Sequence, residues 1–234
     1  MRRRGALSTS AVAAALLLFA AGGVRADQSQ PRKNGSVFSG DKGRFRITLN
    51  GTEVGTEDFE IKPDGDTWAA RGSTDLKVPN AGEMKVTGEL HLASDGGLLK
   101  YQWSSQAPKA ANGTVSLVSG TAKCSLTVGT ADPYLRDFQF GDPHVVVLDN
   151  NLYYQYAVLA RVYDWAAAGK QDFHVVIPQD MTPGTVSVQS QATNGPLSEL
   201  VVTTPDIEIH LFCDSNHRLM RLEVPASKVV VERE

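Results

Sequence analysis

The chain is poor in several things, and each shortage narrows what it can be. Only two cysteines occur in 234 residues, so at most one internal disulfide can form. Basic residues are not in excess: 23 Lys and Arg face 26 Asp and Glu. Four of the basic residues fall within the first 26 positions, leaving 19 against 26, a net charge of −7, from residue 27 onward. Nucleic-acid-binding domains usually carry a basic face, so no nucleic acid is expected as a partner. Beyond the N-terminal segment there is no run of 18 apolar residues, and no transmembrane helix is expected. No serine stands in a Gly-x-Ser-x-Gly elbow. No Gly-rich loop follows a strand and opens a helix, as a dinucleotide cradle requires. Neither a cofactor nor a catalytic metal is implied.

What is present starts at the N-terminus. Arg2, Arg3 and Arg4 form a basic head, Ala11 to Ala21 is almost wholly small and apolar, and Val24-Arg25-Ala26 places small residues at −3 and −1. That order reads as a secretory signal peptide over residues 1–26. An uncleaved anchor would need about 20 apolar residues, and this core is about half that. No cysteine follows the apolar run, so a lipidated N-terminal cysteine is not expected. The expected location is therefore periplasmic or secreted. Residues 27–40, with Pro31, Gly35 and Gly40, read as a flexible leader, and 41–234 as a single β-rich domain.

From residue 44 the pattern has period two. Phe45, Ile47 and Leu49 alternate with Arg44, Arg46 and Thr48, and Asn50-Gly51 supplies a tight hairpin turn. The return strand puts Glu57, Phe59 and Ile61 on one face, with Asp58, Glu60 and Lys62 on the other. Pro63-Asp64-Gly65-Asp66 turns the chain again. Met84, Val86, Gly88, Leu90 and Leu92 then share one parity. Asn112-Gly113 also reads as turn chemistry. Further strands are expected to the C-terminus, about twelve in all, as a meander with one wet and one dry face. One stretch differs: residues 151–168 contain neither Gly nor Pro, and Leu152, Tyr156, Leu159 and Tyr163 recur at helical spacing. Asn150 or Asn151 could cap that helix and Gly169 end it. The expected architecture is mainly β: a large curved antiparallel sheet or half-open β-barrel with one amphipathic helix against its concave face.

The opening hairpin, Gly43-x-Phe45-x-Ile47-x-x-Asn50-Gly51-x-x-Val54-Gly55-x-Glu57-x-Phe59-x-Ile61, and the closing one, Asp214-Ser215-Asn216-His217-Arg218-Leu219 through Pro225 to Val229–Arg233, resemble a group of uncharacterised exported bacterial proteins of the DUF3108 and DUF6134 types. The resemblance implies a half-open antiparallel barrel, similar to periplasmic lipoprotein carriers in which a helix plugs an apolar concavity. It lends no catalytic residue.

Candidate sites remain. Cys124 and Cys213 lie in strand-like runs, where they could bridge in an oxidising compartment or stay as two buried thiols. His210, Cys213 and His217 are close in sequence, but the first two project to opposite faces of a regular strand. A pair such as Glu57 with Asp75 could serve a glycosidase only at a defined separation across a cleft. The strongest grouping is aromatic and aliphatic: Tyr101, Trp103, Phe138 and Phe140 facing Leu152, Tyr156 and Leu159. These seven are expected either to pack as core or to line a pocket for an apolar ligand, with Tyr153, Tyr154 and Tyr163 rimming its mouth. The reading that follows is an exported non-catalytic protein binding or carrying an apolar, lipid-like ligand. Its alternatives are an envelope protein–protein interaction or assembly module and, behind that, a hydrolase.

Overall fold

The structure, a computed structural model, describes residues 35–79, 82–106, 109–142, 144–167, 169–193 and 195–234. The segment read as a signal peptide lies outside the described residues. The described residues form one curved sheet of fifteen strands rather than about twelve. The first eight are β1 (Asp41–Leu49), β2 (Thr52–Asp64), β3 (Thr67–Val78), β4 (Gly82–Leu92), β5 (Leu98–Ser105), β6 (Ala111–Val118), β7 (Thr121–Val128) and β8 (Tyr134–Gln139). After them come β9 (Val145–Val147), the helix α1 (Tyr154–Val162), β10 (Lys170–Ile177), β11 (Thr182–Gln191), β12 (Ser198–Thr203), β13 (Glu208–Cys213), β14 (Leu219–Val224) and β15 (Val229–Arg233).

The strand order is β8 down to β1, then β15 down to β9, so the first and last strands pair in the middle of the sheet. Every pairing is antiparallel except that of β9 with β10, which is parallel. The sheet is not closed by a backbone ladder between its edges, β8 and β9. Side chains span that seam instead: Arg136 Nη1 donates to the carbonyl of Met181, and the Phe140 ring lies 5.5 Å from that of His174. This is the half-open barrel that the alternation predicts.

Local chemistry explains the turns. Asn50 and Gly51 both have positive φ, 52° and 78°, as a two-residue hairpin loop of the type I′ kind demands. Asn112, by contrast, lies within β6 and not in a turn, because Gly113 is needed for packing and not for a reversal.

The inward parity of each strand builds one continuous core, from Phe45 and Phe59, stacked at 4.6 Å, to Leu211 and Val231. A single cross-strand row of that inward parity runs Gly43, Phe59, Gly72, Gly88, Trp103, Gly113. Four of its six members are glycines, and aromatic rings occupy the space their side chains would take. A β-carbon on Gly72 would collide with the Tyr154 ring, one on Gly88 would stand 3.0 Å from the Tyr154 hydroxyl, and one on Gly113 2.6 Å from Trp103 Nε1. Gly43 receives the Phe59 ring in the same way. Rings lying on strand glycines keep the sheet covered where it bends.

α1 is shorter than the 151–168 span its pattern predicts. It is also buried on every side: all nine residues, Gln155 and Arg161 among them, are buried. It packs between β3 on one side and β13 and β14 on the other, so the sheet wraps it. A helix buried all round is part of the core, and its two polar side chains there need partners. Its C-terminus comes at Tyr163, whose ψ of 130° leaves the helical region. Gly169, expected to end the helix, has φ 71° just ahead of β10 and accepts a hydrogen bond from the Tyr163 hydroxyl.

Candidate functional site

The concave interior is the place where the sequence points to a site, and α1 occupies it. Its start is fixed from the sheet. Glu57 on β2 faces inward and is fully buried. Its Oε2 accepts from the amide of Tyr153 at 2.6 Å and from the Thr74 hydroxyl at 2.9 Å, and its Oε1 accepts from the amide of Tyr154 at 2.7 Å. The first amides of a helix have no partner of their own and carry partial positive charge. A carboxylate 97 residues away supplies what Asn150 or Asn151 is expected to supply. Asn151 instead takes a left-handed turn (φ 62°), and Asn150 bonds to Asp180. Among the described residues no cation faces Glu57, and burial drives its pKa up to about 7 against the pull of those three donors.

A second buried acid lies just before the helix. Asp149 accepts from the Tyr101 hydroxyl at 2.8 Å and from the amide of Gln179 at 3.0 Å, and its own amide donates to Gln155 Oε1. Burial raises its pKa to about 7 as well. The far end of α1 is held differently. Arg161 Nη1 donates to Ser39 Oγ at 2.6 Å, its Nε to the carbonyl of His217, and its Nη2 lies 3.4 Å from Asp41. Asp41 also takes a two-pronged contact from Arg233 on β15, at 2.6 and 3.2 Å. That end therefore carries a buried Arg–Asp–Arg network. Among the described residues, three buried polar atoms of the interior make no hydrogen bond: Trp103 Nε1, Tyr154 OH and Gln155 Nε2.

The seven residues proposed as a binding group fall in this interior or at its seam. Tyr101, Trp103, Leu152, Tyr156 and Leu159 are buried in the core around α1. Phe138 lies under the Arg136 guanidinium at 4.9 Å, and Phe140 is partly buried against His174. They are thus split between the helix surroundings and the seam near β8. Tyr154 and Tyr163, expected at a mouth, are buried.

Other groupings separate in three dimensions. Cys124 and Cys213 are both free and buried, on β7 and β13, with eight strands between them in the sheet order. Of the two alternatives that the sequence leaves open the structure has the pair of buried thiols, because sequence spacing does not set which strands adjoin. Burial raises both thiols, to about 11 and about 12. Glu57 faces inward, whereas Asp75 faces out and is exposed, so they share no cleft. His210 sits between Glu199 at 2.6 Å and Glu208 at 2.9 Å on the outer surface. Burial opposes charge on that ring, but the two carboxylates outweigh it and its pKa is raised. His217 stacks on Trp165 at 4.4 Å, well apart in role from His210. Among the described residues, no group of three His, Cys, Asp or Glu could hold a metal ion.

Missing from the sequence-based list are Asp41, Asp149, Gln155, Arg161 and Arg233. Asp41 and Arg233 carry one available signal, a charged residue at an inward parity position, which is plainest at Glu57 beside Phe59 and Ile61. Asp149, Gln155 and Arg161 lie before or on α1, where strand parity gives none.

This geometry defines a β-barrel-like protein with a helix-filled interior. No family model and no curated protein matches the sequence. Among solved structures the fold is similar to a β-barrel-like protein of the domain of unknown function DUF1849 from Brucella abortus. The two share 9% identity at a TM-score of 0.53, over 82% of this chain and 94% of that one. A DUF1089 family protein from Pseudomonas aeruginosa aligns over 88% of this chain and 98% of its own, at 9% identity and a TM-score of 0.46. At such identities the likeness to the Brucella protein speaks of fold alone. Among the described residues, no helix is long and apolar enough to cross a membrane.

Proposed function

We propose that this chain is an exported, non-catalytic envelope protein that works by binding a partner at its surface. The supporting observation is the burial of all nine residues of α1, which puts packed helix where an acyl chain would lie. Carrying an apolar, lipid-like ligand inside would require α1 to leave. It is held at its start by Glu57 and at its end by Arg161. The partner form of the reading is favoured by the apolar side chains left in solvent at the β7–β8 hairpin. Tyr134 is 56% exposed and Leu135 70%, with Val128 beside them. Tyr134 and Leu135 lie on β8, an edge strand, whose unpaired backbone can add a further strand. Export rests on the presequence read at residues 1–26, and kinship with the DUF3108 and DUF6134 types belongs to the same reading.

The test uses protein purified from the envelope of its own host. Native mass spectrometry is expected to show no stoichiometric lipid. A photo-crosslinking residue at position 135 is expected to give one reproducible protein adduct that Tyr134→Asp abolishes. A stoichiometric lipid, together with rapid hydrogen exchange across 154–162, would overturn the surface reading in favour of the carrier.

A further inference from the structure

A groove of about 680 Å³ crosses the outer face of β2 to β6 at right angles to the strands. Its floor is the outer side of the glycine row, Phe59, Gly72, Gly88, Trp103 and Gly113, whose side chains all turn inward or are absent. One wall is the next outward row, where Ser73, Thr87, Ser104 and Asn112 stand opposite one another on successive strands. The other wall is the outward row on the far side, Glu60, Arg71, Glu89 and Gln102. The trough therefore follows the crease that the rings on the inner face hold in place.

The chemistry of the walls selects among ligands. The strands of the floor from β2 to β6 each have a ladder partner on both sides, so their backbone groups are already spent. An extended peptide crossing them would gain no main-chain hydrogen bonds, unlike one added at an edge. No aromatic or aliphatic side chain stands in either wall, so an acyl chain would meet only backbone carbon and the stems of polar side chains, and would desolvate the polar ends of both walls. The hydroxyl and amide wall offers donors and acceptors together, repeating at the strand spacing of about 4.8 Å. In the charged wall Arg71 lies 3.9 Å from Glu60 and 3.8 Å from Glu89, and Lys42 stands opposite Glu60, so two cations face two carboxylates. Asp58, at the end of the other wall, is paired with Arg44. With five N–H donors, the Arg71 guanidinium keeps donors free for a ligand.

We infer that this groove binds an extended, uncharged polyhydroxylated chain, an oligosaccharide, independently of the β8 edge. Such a chain presents at each residue the mixture of hydroxyl donors and acceptors that both walls match, and it needs no net charge.

The full chain, isotopically labelled, would be titrated with chitotetraose and with maltotetraose. At least one is expected to give saturable shifts confined to the backbone amides of β2 to β6 that flank the groove. Gln102→Ala and Arg71→Ala, both exposed, are each expected to weaken binding about five- to tenfold, the worth of about one hydrogen bond. Their melting temperatures should stay unchanged. The inference fails if neither sugar gives saturable shifts up to about 10 mM, the weak end of measurable affinity. It fails equally if the shifts lie elsewhere, or if both variants bind as wild type does. A tetra-alanine peptide that perturbs the groove where the sugars do not would transfer the site to peptides.

Discussion

The same two-pronged Arg–Asp contact is made twice around β1, once on each face of the sheet. Outside, Arg44 grips Asp58 with both bonds at 2.8 Å, and the two side chains are 52% and 60% exposed. Inside, three residues earlier on the strand, Asp41 is gripped by Arg233 at 2.6 and 3.2 Å, and these side chains are 3% and 11% exposed. The inner carboxylate also faces Arg161 from α1. The geometry is nearly the same, and the surroundings decide the consequence. An exposed pair exchanges water for a partner at little net gain. A buried one is held because losing either partner strands a charge without solvent. Glu57 is the third case: a buried carboxylate answered by dipoles and hydroxyl, with no cation among the described residues.

The widest separation between the two faces should come from Asp41→Ala. It leaves Arg161 and Arg233 buried without their shared acceptor and should cost about 3–5 kcal/mol, read by urea unfolding. A loss below about 1 kcal/mol would mean that the guanidiniums find water and the inner contact behaves like the outer one. Glu57 sharpens the contrast through pH. Its pKa of about 7 in the folded protein exceeds the ordinary 4.5, so its contribution to stability is whole below about pH 4.5 and disappears as pH rises through 7. The loss should be about 3 kcal/mol. Asp149, raised in the same direction, adds to the same slope. Glu57→Gln should flatten the profile by the Glu57 share, leaving that of Asp149. An unchanged slope in this variant would show that the three hydrogen bonds, and not burial, govern the carboxylate.

How much of this could be read beforehand differs by feature. Strand parity was legible, and with it the inward direction of Glu57 beside Phe59 and Ile61, because alternation is a local property. The cap was not, since the amides it serves lie 96 and 97 residues further along. The ends of α1 are not legible in the sequence for a related reason. The apolar spacing runs on through Tyr163, while the ends are set by Glu57 at one side and by the extended turn at Tyr163 on the other. The glycine row belongs to the same class. Gly88 stood in the predicted dry face, but the register that aligns it with Gly72, Trp103 and Gly113 comes from pairing across strands, as does the separation of Cys124 from Cys213.

Between the two faces stands that row, and substituting it should give an intermediate effect. Gly72→Ala places a methyl group against the Tyr154 ring and 2.9 Å from Glu57 Oε1. The ring cannot withdraw easily, because the amide of its own residue is bonded to that same carboxylate. Overpacking of this kind costs about 1–3 kcal/mol. The change should lie between that of Asp41→Ala and those on the outer face. A neutral result would mean that the sheet relaxes at the crease, so the groove outside should change shape with it.

The smallest effect is expected where the contact looks as good as any in the protein. Asp58→Ala removes both 2.8 Å bonds to Arg44, yet Arg44 loses them into water and Asp58 leaves nothing buried behind. The pair holds the Asp58 carboxyl below its usual pKa, through the hydrogen bond to Arg44 first, but at such exposure the effect is screened. A change below about 1 kcal/mol is expected, shrinking further as salt is raised. Asp58 also borders the outer groove, so the measurement bears on more than one ion pair. If its removal is nearly free, the walls of the groove can be altered without disturbing the fold, and a change in sugar binding there reports on the site itself. If it costs as much as Asp41→Ala, burial is not what divides the two contacts, and the distinction drawn between the faces of β1 fails.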